Sequence, residues 1–244
     1  MFNYKITIEY DGTDFVGWQK QDNGPSIQES IENAIFNLTS EKVNLFGAGR
    51  TDAGVHAWGQ VANFNLKKDF NTDNIRDGLN QHLRPQPIAI LNASMVDQKF
   101  HSRFLAKKRI YRYSITNRRS PLTINKDKSW VVFKKLDLNI MKTEAKNFIG
   151  NYDFEAFRSI HCQSNSAIKT INDVIITNKN DDICIEVSAK SFLHSQVRIM
   201  VGTLAEIGKG KITKSIKKII EDKKRSEAGI TAPACGLYLM RVEY

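Results

Sequence analysis

Cysteine is scarce: Cys162, Cys184 and Cys235 are all the chain has. They are odd in number, far apart and never in a CxxC pair, so neither a disulfide framework nor a zinc site is indicated. Proline and glycine are few as well, 5 and 14 in 244 residues, which excludes collagenous and low-complexity classes. No apolar run approaches the ~18 residues that a membrane helix needs. The start, Met1 to Asp11, alternates like a strand instead of presenting a signal peptide. The expectation is a reduced, cytoplasmic protein with no membrane partner. Without a secretion signal, Asn37-Leu38-Thr39 and Asn92-Ala93-Ser94 match the glycosylation pattern by chance.

Acidic residues are the remaining shortage. Lys and Arg total 36 against 26 Asp and Glu, a formal charge of +10, with a pI near 9.4. Such a surface attracts polyanions, which bears on partners and says little about fold. The 41% hydrophobic content suffices for a sizeable core, and the length suits one large domain or two of roughly 100 to 130 residues, two being preferred.

Period-2 alternation at Tyr4, Ile6, Ile8 and Tyr10 predicts a strand ended by the turn Asp11-Gly12. Ser26 to Glu29 reads as a capping box ahead of a helix with Ile27, Ile31, Ala34, Ile35 and Leu38 on one face. Strands are expected at Val43 to Phe46 and Val55 to Leu66, a helix at Thr72 to His82 and a strand at Ile88 to Val96. A second cycle has a strand from Arg109 to Thr116 and a helix capped by Asp137, with Leu138, Met141, Ala145, Phe148 and Ile149 on one face. A hairpin then joins Thr170 to Thr177 with Ile183 to Ala189. A longer helix runs from Phe192 to Ile207, and a short helix and a strand from Leu237 to Tyr244 close the chain. The pattern is α/β (α+β), two lobes that divide near Leu105, residues 1–104 and 105–244.

Three stretches could carry chemistry. The loop Gly47 to His56 is glycine-rich, yet it lacks the Gly-Lys-Ser/Thr of a phosphate-binding loop, and Asp52 stands where a dinucleotide fingerprint needs its third glycine. Its glycines could hold Arg50 and Asp52 at one site as cation and carboxylate; an ordinary turn with Asp52 as a cap fits the spacing equally. Lys99 to Arg119 carries Lys99, Arg103, Lys107, Lys108, Arg109, Arg112, Arg118 and Arg119 with no acid, interleaved with Phe100, Phe104, Tyr111 and Tyr113. Cations beside aromatic faces suit unpaired nucleotides, although a charge run alone describes many solvated faces. A second basic cluster, from Lys209 to Arg225, has Glu221 and Asp222 and no aromatics, which fits a solubilising role. In Ser191 to Ala205, Arg198 is the only formally charged residue, so it needs an acidic partner or a route to solvent from the helix edge. The five histidines show no HExxH or HxxxH spacing, and no metal site is indicated.

Taken in order, the chain resembles the TruA-type branch of the tRNA pseudouridine synthases. The blocks that carry the likeness begin with Tyr10-Asp11-Gly12-Thr13, Gly17-Trp18-Gln19, Ala48 to His56 with Gly59-Gln60-Val61, and Phe100 to Phe104. Arg109 to Tyr113, Asp153-Phe154 with Phe157, Phe192-Leu193-His194 with Val197-Arg198 and Val201-Gly202, and Ala232 to Leu239 continue it. The resemblance implies two similar lobes, each a mainly antiparallel sheet with helices on one face, joined across a central basic cleft. It implies an isomerase that converts uridines 38, 39 and 40 of the tRNA anticodon arm to pseudouridine, without metal or cofactor, as a homodimer. Asp52 matches the catalytic aspartate and Arg198 the arginine that pairs with it. Tyr111 matches the tyrosine that stacks on the target base, and Arg50 the residue that helps extrude the nucleotide. Ala57-Trp58 and Ser195-Gln196 depart from the usual pattern, which leaves room for the same chemistry on ribosomal RNA. A non-catalytic RNA-binding module is the further alternative; a decayed enzyme would be expected to lose Asp52.

Overall fold

Alternation at the N-terminus becomes strand β1 (Phe2–Tyr10) in the computed structural model, which describes residues 1–244. Tyr4, Ile6, Ile8 and Tyr10 are buried on one face, while Lys5, Thr7 and Glu9 are half-buried on the other. Helix α1 (Ile27–Thr39) follows, capped by Ser26, whose hydroxyl accepts from Glu29 N at 3.2 Å. The predicted box is half-built, because the Glu29 carboxylate turns instead to Lys20 Nζ at 2.9 Å. Strand β2 is only Phe46–Gly47, shorter than the expected Val43 to Phe46. The cause is local: Leu45 N donates to Glu32 Oε1 at 3.0 Å, so an α1 side chain takes the backbone group that a strand would have used. Strand β3 (His56–Leu66), helix α2 (Thr72–Leu83, capped by Asn71) and strand β4 (Ile88–Val96) complete this part. β1 is antiparallel to both β3 and β4, with Tyr4 opposite Phe64 and Met95.

The second compact unit spans residues 108–237. Its strands are β5 (Lys108–Asn117), β6 (Trp130–Val132), β7 (Gly150–Asp153), β8 (Ile168–Lys179) and β9 (Asp182–Ala189), and its helices are α3 (Leu138–Ala145), α4 (Gln196–Gly208) and α5 (Ile216–Asp222). β9 is antiparallel to β5 and β8, β7 is antiparallel to β8, and β6 runs parallel to β5. The predicted hairpin tightens to a connection at Asn180 and Asp181, where Asn180 takes the left-handed conformation. α3 stops at Ala145 and one 3-10 turn places Phe148 in the core, leaving Ile149 exposed. α4 begins at Gln196 and not at Phe192: Ser195 is left-handed at φ 58°, and Leu193 N donates to Gln196 Oε1 at 2.8 Å, closing a turn ahead of the helix.

The closing strand β10 (Leu237–Glu243) is where the expected division at 104/105 differs from the structure. Residues 238–244 belong with 1–107, because Tyr238 and Leu239 pair in parallel with His56 and Ala57 of β3. Backbone pairing with a strand far away in sequence leaves no local trace in residue pattern.

Candidate active site

The loop between β2 and β3 is fixed along its length. Ala48 N donates to Val61 O at 2.7 Å, Gln60 Nε2 to Gly49 O at 2.8 Å, and Val55 N to Asp52 O at 3.1 Å. The segment after β1 lies alongside: Gly17 and Asp52 form an antiparallel bridge, and Trp18 N donates to Thr51 O at 3.0 Å. Gly17 sits at φ +112°, and a Cβ there would lie 2.6 Å from Thr51 O, so both the conformation and the close approach require glycine. Tyr10 Oη and Thr51 Oγ1 share a hydrogen bond of 2.8 Å. Gly12 N donates to His56 Nδ1 at 3.1 Å, and the imidazole stacks on Tyr238 at 4.7 Å between centroids. Asp11 Oδ1 lies 3.0 Å from the same nitrogen; a nitrogen that accepts from Gly12 carries no proton for Asp11, so the two contacts belong to different protonation states. Blocks Tyr10 to Gln19 and Ala48 to His56 are thus one unit of structure: the first is the splint of the second. Asp52 is half-buried and Arg50 exposed on this stiffened loop.

In the second unit, Tyr111 lies on β5 opposite Val187 of β9. It is buried, with Phe192 edge-on to its ring at 5.3 Å and 87°. Arg198 stands in the first turn of α4, a helix whose other residues are all buried. Its Nε donates to Ala232 O at 2.8 Å, and Ala232 N donates to Arg198 O at 3.1 Å. The segment 229–232 presses so closely on α4 that a Cβ at Gly202 would meet Ile230 O at 1.8 Å. Gly229 N also donates to Thr203 Oγ1 at 2.9 Å. Tyr113 continues the clamp, its hydroxyl donating to Pro233 O at 2.7 Å, and burial pushes its pKa well above the usual value. So Val201-Gly202 and Ala232 to Gly236 hold Arg198 on a rigid mount.

The long basic stretch does not behave as one surface. Arg109 is buried and donates to the Lys190 carbonyl, Lys108 Nζ meets Asp173 at 3.3 Å, and Arg112 meets Glu186 at 3.5 Å. Tyr113 is core, and Phe100 packs on Tyr244 at 5.0 Å. Of the interleaved aromatics, Tyr113 and Phe100 are thus engaged within the protein, whereas Phe104 is 70% exposed. In the second cluster, Lys214 reaches Asp222 at 2.9 Å and Glu227 at 2.6 Å, and Lys218 reaches Asp222 at 2.9 Å. The hydrogen bonds from Lys214 and Lys218 pull Asp222 down to about 2. No group of three or more His, Cys, Asp and Glu side chains is arranged to hold a metal, and no helix is long and apolar enough to cross a membrane.

Sequence reading passed over Asn3 and Asn63, whose side chains are buried in β1 and β3. Their signal was available, since asparagine is depleted in strand interiors. It said only that something there had to be hydrogen-bonded.

This combination, a carboxylate on a splinted loop in one α/β unit and a mounted arginine and buried tyrosine in another, carries the residue blocks of one class of RNA-modifying isomerase. Comparison with known proteins agrees. A family model described as tRNA pseudouridine synthase matches residues 6–105 and 145–244. The tRNA pseudouridine synthase A of Wolbachia pipientis wMel is 51% identical over 243 residues, covering 99% of both chains. That of Ehrlichia chaffeensis is also 51% identical over 243 residues, with 99% of each chain covered. That of Parvibaculum lavamentivorans is 46% identical over 245 residues and covers 100% of both. The chain belongs to the tRNA pseudouridine synthase family, whose members are isomerases that convert uridine to pseudouridine.

Proposed function

We propose that the chain isomerises uridines 38, 39 and 40 in the anticodon arm of tRNA, with Asp52 as its catalytic residue and Tyr111, Arg198 and Arg50 as substrate-binding residues. The observation that carries the proposal is the fixed loop: Asp52 is held through the Gly17 bridge and the flanking backbone hydrogen bonds, two residues from the exposed Arg50. A carboxylate placed without reorganisation is what a covalent or electrostatic step at the ribose or base requires. The reaction breaks the bond from C1′ to N1, turns the uracil and forms a bond from C1′ to C5. The C5 proton leaves and N1 gains one, so no atoms are added overall and no electrons are exchanged.

A stacked nucleotide hides its glycosidic bond, so the target must leave the stack at a cost of a few kcal/mol. Exposed Arg50 suits the space left behind. Tyr111, steadied by the edge of Phe192, offers a flat face for uracil and a hydroxyl for the C5 proton. The Arg198 guanidinium, anchored through Nε to Ala232, presents its charge from a fixed base. The protein would work in the cytoplasm as a homodimer, and its net charge of +10 favours the RNA encounter.

The test is to incubate the protein with unmodified tRNA carrying C5-tritiated uridine and map the modified position. Tritium release that depends on Asp52 and maps to positions 38 to 40 is expected. Release from a ribosomal fragment alone would transfer the chemistry to that RNA, and tight binding with no release from either would leave a binding module.

A further inference from the structure

The segment Lys99 to Leu105 takes no part in the roles assigned above, yet it is tied down with unusual care. Asn3 Nδ2 donates to Asp97 O and Phe100 O, both at 3.0 Å, and Asn63 Nδ2 donates to Asn3 Oδ1 at 3.1 Å. Ser102 N donates to Asn63 Oδ1 at 2.9 Å, Ser102 Oγ to the Phe46 carbonyl, and Tyr244 Oη to Ser102 O at 2.8 Å. Asn3, Asn63 and Ser102 are all buried. A buried polar network that is fully engaged specifies one backbone position.

What that backbone presents is an exposed strip of rings. Phe104 is 70% exposed and Phe46 41%, with the half-buried His101 between them. Phe46 and His101 lie 5.0 Å apart, His101 and Phe104 4.3 Å apart, and the Arg103 guanidinium is 5.7 Å from the Phe104 centroid. Arg103 N donates to His101 Nδ1 at 3.1 Å, so that nitrogen carries no proton; burial and the Arg103 charge both lower the imidazole pKa, keeping its face neutral. Lys99, Arg103 and Lys107 of this stretch are exposed. The segment itself holds no carboxylate; Asp97, just ahead of it, accepts from Lys99 N through Oδ1 at 2.7 Å. Contiguous rings with exposed edges mark a contact surface, and a guanidinium at their edge, in a stretch with further exposed lysines, favours a polyanion with flat faces over an apolar protein partner.

We infer that Phe46, His101 and Phe104, with Arg103 at their edge, are a stacking platform for an unpaired base of the RNA substrate, outside the target uridine. The inference rests on the proposed function for the identity of the RNA. Phe46 precedes Asp52 by six residues, so the two are at most roughly 20 Å apart. At ~3.4 Å per nucleotide along a stacked strand, that is the reach of about six nucleotides, within one hairpin.

The experiment compares wild type, Phe104→Ala and Phe104→Trp, each with and without Asp52→Asn, using an unmodified tRNA transcript at fixed salt. Exposure of Phe104 means that its truncation leaves the fold intact, which circular dichroism checks. Phe104→Ala should weaken tRNA binding roughly 5- to 150-fold, the range for losing one stacked base. Phe104→Trp should restore binding, and the single-turnover rate at saturating protein should be unchanged. Unaltered binding by Phe104→Ala overturns the platform. A halved molecular mass in light scattering for Phe104→Ala overturns it too, by making the strip a contact between copies of the chain. Because binding is read in the Asp52→Asn background, a failure of the isomerase reading leaves this result legible.

Discussion

Asp52 and Arg198 are both held by a second segment of backbone, but the two mounts differ in kind. At Asp52, one surface loop splints another through hydrogen bonds, and Gly17 permits the contact. At Arg198, the mount is a helix buried along almost its whole length, crossed by residues 229–232 over Gly202. The difference teaches that two proposed site positions can depend on close-approach glycines while staking very different amounts of the fold on them.

The sharpest separation should come from the side chains themselves. Asp52→Asn is expected to lower turnover by on the order of 10³-fold or more with a native circular dichroism spectrum, measured by tritium release. Gly202→Ala should fail on the other axis. A methyl driven into the Ile230 carbonyl costs about 3 kcal/mol or more, lowering Tm by roughly 6–12 °C, since backbone on both sides has nowhere to go. Gly17→Ala lies between them. It forces φ +112° on an L-residue, so it should cost about 1–2 kcal/mol and cut single-turnover rate more than it cuts Tm. A Gly17→Ala protein with full activity would show that the splint does not position Asp52. Tyr113→Phe removes only the donor to Pro233 and should cost about 1–2 kcal/mol, read from denaturant midpoints.

The smallest effect is expected at Asp222. Its pKa is depressed from an ordinary 3.8 to about 2 by Lys214 and Lys218, so its stabilising contribution is present above pH ~4 and is lost as pH falls through 2. The Tm gap between wild type and Asp222→Asn should therefore close across that window and be constant above it. A gap that persists at pH 2 would mean the carboxylate acts through its shape and not its charge.

Much of this was legible beforehand where the signal is periodic. β1, α1 and β5 follow from alternation or a 3.6-residue apolar face, because burying one face dictates both residue pattern and backbone. The shortened β2 and the late start of α4 were not, since each is decided by one side chain, Glu32 or Gln196, that claims a backbone group. The basic stretch divides between faces for a related reason. Charge is counted along the chain, whereas a strand sends alternate residues to opposite faces and a sheet supplies carboxylates from its neighbours, as Asp173 and Glu186 do for Lys108 and Arg112.

Sequence alone determined the class of chemistry, because Asp52, Tyr111 and Arg198 stand in ordered blocks that match one family along nearly the whole chain. It also determined the alternation that makes the strands. Only tertiary structure decided that β10 belongs with the first unit, that Gly17 and Gly202 are there for contact, and that Asn3 and Asn63 hold a distant loop. Those outcomes depend on which atoms meet across long sequence separations, and hydrogen bonds and close packing are set by proximity in space.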